Sequence, residues 1–217
     1  MTELTYLEST RTAYDTVAVS YAEALSTLMD ELPWDRAVLR TFAELVRTAG
    51  GGLVADVGCG PGRITTYLHD LGLDVFGIDL SPAMIAVARE SYPRLRFEVG
   101  DMTGLDLADG ALAGLVAWYS TIHTPTELLP TAFAEFARVL APGGELVLAF
   151  QVGDARDRLE QGYGHPISLD AYRRSPDLIT ELLADAGLPA HARLVREKEG
   201  RERHPQAYLL ARKPALP

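Results

Sequence analysis

The nine residues from Val54 to Gly62, Val-Ala-Asp-Val-Gly-Cys-Gly-Pro-Gly, constrain this chain more than any other stretch. A short strand-like run ends at Val57, glycines stand at 58, 60 and 62, and a helical pattern starts at Arg63. Glycine reaches backbone angles closed to other residues and lets a ligand approach the main chain with no Cβ in the way. A strand that turns this way into a helix points unpaired N–H groups and the positive end of the helix dipole at a polar or anionic ligand. The stretch predicts a nucleotide cradle.

The chain around the cradle alternates strand and helix, the pattern of a parallel sheet with right-handed crossovers. Strands are expected at 53–57, 74–78, 95–99, 112–118 and 145–150. Helices are expected at 63–71, from Pro82 behind a Ser81 cap, and at 126–140. The late strands 194–197 and 206–212 flank a charged stretch and predict an antiparallel hairpin. Before the cradle, Tyr14, Val17, Ala18, Tyr21, Leu25 and Leu28 recur at helical spacing over 11–29, and a second helix is expected at 35–48. Residues 151–175, rich in Gly, Asp and Arg, read as the least regular segment, lying where strand ends open onto a ligand crevice. The expected fold is α/β: a doubly wound, mostly parallel seven-stranded sheet with an antiparallel C-terminal hairpin and an N-terminal helical lid. A length of 217 residues suits one domain over 1–217. Its parts are N-terminal helices at 1–50, a cofactor-binding core at 51–150, and a substrate-side insert, last helix and hairpin at 151–217.

A net charge of −10 argues against a nucleic-acid partner, because phosphate binding rests on clustered Lys and Arg. The single cysteine, Cys59, excludes an internal disulfide, and no Cys/His spacing predicts a metal site. The N-terminus lacks the charge and apolar pattern of a secretory signal, and no apolar run reaches the ~20 residues that span a bilayer. A cytoplasmic protein acting on a small molecule is expected, with no membrane partner.

The second strand ends at Asp79, where a carboxylate is placed to accept both hydroxyls of a ribose. The glycines do not keep the first, third and sixth positions of a dinucleotide fingerprint: that sixth position falls on Arg63 from Gly58, or on Thr65 from Gly60. A ligand without pyrophosphate fits better. Asp56-Val-Gly-Cys-Gly-Pro-Gly62, Gly77-Ile-Asp79-Leu-Ser-Pro82-Ala-Met-Ile, Gly100-Asp101-Met102 and Arg138-Val-Leu-Ala-Pro-Gly-Gly144 together resemble, in order and spacing, the motifs of class I S-adenosylmethionine-dependent methyltransferases.

That resemblance covers Leu53 to about Phe150. It implies S-adenosyl-L-methionine as cofactor, with S-adenosyl-L-homocysteine as product. The Gly58, Gly60 and Gly62 backbone would surround its amino-acid portion and Asp79 would bind its ribose, with Asp56, Cys59 and Leu80 also among the cofactor-binding residues. Asp101 and Met102 would meet the adenine, and Trp118 and Tyr119 would lie beside the methionine end. In related enzymes a tyrosine-bearing N-terminal helix covers the cofactor, which gives Tyr14 and Tyr21 a lid role beside the plainer one of core packing.

His123 comes after the fourth strand and serves either as a general base or as a brace of the turn. Cys59 is small enough to fit between two glycines, and that role is preferred to a nucleophile's. Arg63 pairs either with a cofactor carboxylate or with a surface acid. His165, Tyr172, Arg173, Arg203, His204 and Tyr208 are the acceptor-pocket candidates, and no metal is implied. The function expected is methyl transfer to an oxygen or nitrogen of a small molecule. A non-catalytic cofactor-binding domain and a nicotinamide-dependent oxidoreductase are the alternatives.

Overall fold

The computed structural model describes residues 3–200 and 202–215. The outermost residues of the expected 1–217 domain, and residue 201, lie outside the described residues.

Three helices lead in: α1 (Glu3–Leu25), α2 (Leu28–Glu31) and α3 (Pro33–Thr48). The alternating part then runs β1 (Leu53–Val57), α4 (Arg63–Asp70), β2 (Asp74–Asp79), α5 (Pro82–Ser91), β3 (Phe97–Val99), β4 (Leu112–Trp118), α6 (Leu129–Val139) and β5 (Leu140–Gln151). The chain ends with β6 (Ala155–Gly162), β7 (His165–Arg173), α7 (Pro176–Asp185), β8 (Ala190–Arg196) and β9 (Gln206–Arg212). One sheet has seven strands in the order β3-β2-β1-β4-β5-β9-β8; β1 to β5 pair in parallel, and β9 is antiparallel to both its neighbours. The expected fold class therefore holds.

The central strands are apolar on both faces because helices cover both. Ala55, Val57, Leu115 and Ala117 pack with Phe133 and Phe136 of α6 and Ile179 and Leu183 of α7. Their sequence neighbours Val54, Val116 and Trp118 point the other way, into Leu39, Phe42 and Val46 of α3 and Ile64 and Leu68 of α4. Phe42, Phe133 and Phe136 are fully buried, and each such side chain contributes roughly 1.5–3 kcal/mol by leaving water. Strand order reverses between β1 and β4, so a crevice opens at their carboxyl ends.

Several boundaries differ from expectation. Helix α1 starts at Glu3 instead of Arg11, and α2 is a separate short turn. Strand β3 is confined to Phe97–Val99, and β8 begins at Ala190 instead of Leu194. The helix expected at 126–140 opens with a 3-10 turn at Thr126–Leu128, and β5 takes over at Leu140. The largest correction concerns 151–175, which is no irregular loop: β6 and β7 form a separate antiparallel ribbon. Its strands carry Arg156, Arg158 and Glu160 among Asp157, Leu159 and Gln161, so polar residues occupy both faces and the alternation that marks a half-buried strand is missing.

Candidate active site

The crevice holds a cavity with about 690 Å³ of empty space including its open mouth. Its floor comes from strand ends: Val57, Gly58 and Gly60 after β1, Asp79 and Leu80 after β2, Gly100 to Met102 after β3, and Trp118 to Ser120 after β4. Its roof is α1, which contributes Tyr6, Thr10, Tyr14 and Tyr21, with Arg11 beside them. The first three recur every four residues and so share one stripe of the helix.

The cradle is fixed by backbone bonds. Gly58 and Cys59 N–H both donate to the Ile78 carbonyl, at 2.7 and 3.0 Å. Asp79 Oδ2 accepts from Gly60 N–H and Oδ1 from Ser81 N–H, each at 2.8 Å, which ties the first two turns together and leaves lone pairs for a ligand. Gly58 has φ 78°, and a Cβ there would run into Ser120 Cβ, so the turns after β1 and β4 interlock. Asp101 accepts from Thr103 N–H and Oγ1 at 3.0 and 2.8 Å and faces the cavity. Burial, partly countered by the Ser81 and Gly60 N–H groups, raises the pKa of Asp79.

Three cradle residues do not line the cavity. Asp56 is fully buried beneath it, where Oδ2 accepts from Thr65 Oγ1 at 2.7 Å. Burial lifts the Asp56 carboxyl to about 7. Cys59 packs with Ile85, Ala88 and Phe97, and its Sγ lies 2.7 Å from where a Cβ on Gly77 would sit. It is a packing residue, and burial raises its pKa well above the ordinary thiol value. Gly62 caps α4 with φ 85°, against Phe97. These three shape the cradle from behind.

His123, buried in the 3-10 turn Thr121–His123, reaches the cavity wall. Its Nδ1 is 2.7 Å from the Asp170 carbonyl, which can only accept, so Nδ1 carries the ring proton. Burial lowers its pKa to about 4 and keeps the ring neutral. Nε2 therefore accepts from the Tyr14 hydroxyl at 2.7 Å. Arg174 braces the same turn by donating to the carbonyls of Thr121 and Thr124. His123 is thus held as part of the turn, with its unprotonated Nε2 turned to the Tyr14 hydroxyl of the roof.

Helix α1 is fastened at four places. Tyr6 Oη and Thr124 Oγ1 are 2.8 Å apart, and Tyr14 holds His123. Asp15 Oδ1 accepts from Ser81 Oγ at 2.6 Å and Ala83 N–H at 3.1 Å, placing a carboxylate at the N-terminus of α5 where the helix dipole favours it. Ser20 Oγ is 2.7 Å from His165 Nε2 on the ribbon. Tyr163, at the ribbon's tip, meets Tyr21 edge to face at 4.8 Å between ring centres.

The six acceptor-pocket candidates separate in the structure, and none lines the cavity. His165 fastens the roof, while Tyr172 lies under the Arg174 guanidinium at 4.9 Å. Arg173 pairs with Asp157 and reaches His204, linking the ribbon to the loop that leads into β9. Arg203 is exposed. Tyr208 is a core residue with no exposure, its hydroxyl spent on Asp35 and Arg196. The sequence pattern places Tyr208 on the right strand, but β9 is buried on both faces, so alternation could not tell which way its ring points. Tyr6, Thr10, Arg11 and Ser120 were missed; the four-residue spacing of Tyr6, Thr10 and Tyr14 was the available signal.

Two wall atoms, Thr10 Oγ1 and Ser120 Oγ, are buried and have no hydrogen-bond partner among the described residues. Buried hydroxyls are seldom left unpaired, so both mark where a polar ligand is expected. A glycine-edged cradle, a carboxylate at the end of β2 and two orphaned hydroxyls fit a nucleoside with a polar tail.

Fold and site together define a class I methyltransferase architecture. Residues 54–144 match the family model described as a methyltransferase domain. A malonyl-[acyl-carrier protein] O-methyltransferase of Pectobacterium atrosepticum is 32% identical over 171 residues, covering 73% of this chain and 65% of that protein. The DhpI–SAH complex superimposes with a TM-score of 0.74 at 22% identity, over 98% of this chain and 99% of that one. Burkholderia thailandensis 1,6-didemethyltoxoflavin-N1-methyltransferase, with bound 1,6-didemethyltoxoflavin and S-adenosylhomocysteine, gives 0.62 at 21% identity, over 93% and 90% of the two chains. These two structural likenesses establish the fold. The chain thus carries a methyltransferase domain on the class I fold. It spans between 46% and 65% of the length of the first curated relatives it matches.

Proposed function

We propose that this chain binds S-adenosyl-L-methionine in the cavity and catalyses transfer of its methyl group to an oxygen or nitrogen of a small molecule. The observation that carries this reading is the convergence of the interlocked Gly58 turn, Asp79 and Asp101 on one crevice under α1. Asp79 takes the ribose hydroxyls, Asp101 the adenine amino group, and the orphaned hydroxyls of Thr10 and Ser120 the remaining polar atoms. The cofactor, when bound, supplies an activated methyl group, so no covalent bond to the protein is needed.

The chain's own contribution is alignment, water exclusion and proton handling. The α1 roof covers the reacting end with Tyr14 and Tyr21. His123 Nε2, unprotonated at neutral pH, is the local proton acceptor. An acceptor hydroxyl seated against Tyr14 would pass its proton to the Tyr14 oxygen as the Tyr14 proton moves to Nε2. Acceptors that attack as anions or neutral amines need no such step. His123 is thus read as the acid–base residue, with Tyr14 between it and the acceptor.

The test is incubation with methyl-labelled S-adenosylmethionine and a broad small-molecule extract, read by mass spectrometry. A labelled small product matched by an equal amount of S-adenosylhomocysteine is expected. Tight cofactor binding with no labelled product would overturn catalysis and leave a binding domain.

A further inference from the structure

Trp118 forms part of the cavity wall, yet what holds its ring lies outside the cavity. Its indole N–H donates to Asp35 Oδ2 at 3.2 Å. Asp35 sits in the first turn of α3 and is 1% exposed. Its other oxygen accepts from the Tyr208 hydroxyl at 2.6 Å. That hydroxyl receives Arg196 Nε and Nη2 at 3.1 and 3.0 Å, and Arg196 is clamped to Glu202 at 2.5 and 2.6 Å. The Arg196 guanidinium also lies 3.8 Å from Asp35, so the buried carboxylate has a countercharge. The Trp118 and Tyr208 rings pack at a tilt of 35°, 5.5 Å between centres.

The orientation of Trp118 matters because of the two residues after it. Tyr119 is left-handed, with φ 55°, while its N–H donates to the Ala149 carbonyl at 2.9 Å. Such a backbone angle is costly for a bulky residue and persists only where its surroundings enforce it. Ser120 then presses on Gly58 in the cradle. A shift of the Trp118 ring would propagate along three residues into the turn that meets the ligand.

We propose that Asp35 is a positioning residue for the cavity: by accepting from both Trp118 and Tyr208 it fixes the wall at the carboxyl end of β4. Asp35 touches no ligand and acts through Trp118. Its effect on catalysis rests on the methyl-transfer reading of the cavity, whereas its hold on the wall does not.

The test uses a Trp34→Phe background, which leaves Trp118 as the single tryptophan because the sequence has two. In the ligand-free protein, Asp35→Asn is expected to move Trp118 emission to longer wavelength and raise its quenching by acrylamide, since an amide oxygen cannot serve both donors and carry the charge. A methyl-transfer assay should show kcat/KM lower by roughly tenfold, the size of one lost hydrogen bond to a charged group. In a double-mutant cycle with Trp118→Phe, the second change should add little to the first. Unchanged emission and quenching, or fully additive losses, would overturn the proposal. Should Asp35→Asn lack the near-ultraviolet circular dichroism of the native fold, Tyr208→Phe replaces it, leaving Asp35 and its bond from Trp118 in place but removing the hydroxyl that donates to the other carboxylate oxygen. A smaller shift in the same direction is then expected, and no shift would overturn the network. If the parent itself binds no cofactor, the methyl-transfer reading fails while the fluorescence arm still decides the role of Asp35.

Discussion

The floor and the roof of the cavity are built on opposite plans. The floor rests on backbone: Gly58, Cys59 and Gly60 are tied to Ile78 and Asp79 by main-chain N–H groups. The roof rests on side chains: α1 is held by the hydroxyls of Tyr6, Tyr14 and Ser20 and the carboxylate of Asp15, each reaching a distant part of the chain. Its apolar support is small, being Val17, Ala18 and Met84 with a few partly buried neighbours. Backbone bonds inside a sheet open only with the sheet, whereas a helix held by a few side chains can open by itself. The floor is thus a fixed mould and the roof a separable part.

Asp79 offers the harshest test of this contrast. Asp79→Ala removes two bonds that shape the cradle and the acceptor proposed for the ribose, and cofactor affinity should fall about a thousandfold, the worth of two charge-assisted bonds. Calorimetry with unchanged affinity would show that the floor does not hold the ligand.

The next largest effect belongs to His123, where floor and roof meet. Folded, its pKa is near 4; unfolded, it returns to 6.5. The unfolded chain therefore binds more protons between those values, so stability contributed by the neutral ring is present above 6.5 and is lost as pH falls toward 4. The loss should be on the order of 3 kcal/mol. Urea unfolding across this range, compared with His123→Gln, isolates the residue from Asp56 and Asp79, whose raised values act with the opposite sign. Parallel pH profiles for the two proteins would mean that the histidine is already hydrated.

Asp15→Ala should have the smallest effect. Freed from Ser81 and Ala83, α1 should leave the cavity more often, with cofactor dissociation about fivefold faster in stopped flow and the melting temperature little changed. A rate equal to the parent's would place the fastening elsewhere on the helix.

The same division decides what the sequence could disclose. The floor was legible because its signals are local: glycines next to a strand, Asp79 at the tip of the following strand, Ser81 and Pro82 at a helix start. The seven strands were found for the same reason, through their spacing and apolar runs. The six residues expected at the acceptor pocket do not line the cavity, because their positions are set by contacts between segments far apart. Tyr208 shows the difficulty in one residue, since a strand buried on both faces gives no hint that its hydroxyl faces Asp35. The ribbon shows it in another way: Arg156 and Arg158 both serve Asp170, a pairing that leaves no apolar stripe to read. Lid residues stood between these cases; Tyr14 was recognised from its ring, while Thr10 is marked only by its spacing of four from Tyr6 and Tyr14.

Tyr14 and Asp15 are neighbours on a single 23-residue helix. One holds His123 and the other the start of α5, beside Asp79. A rigid helix cannot release one and keep the other. The two ends of the cavity therefore share one cover: an opening of α1 that frees His123 also frees the start of α5.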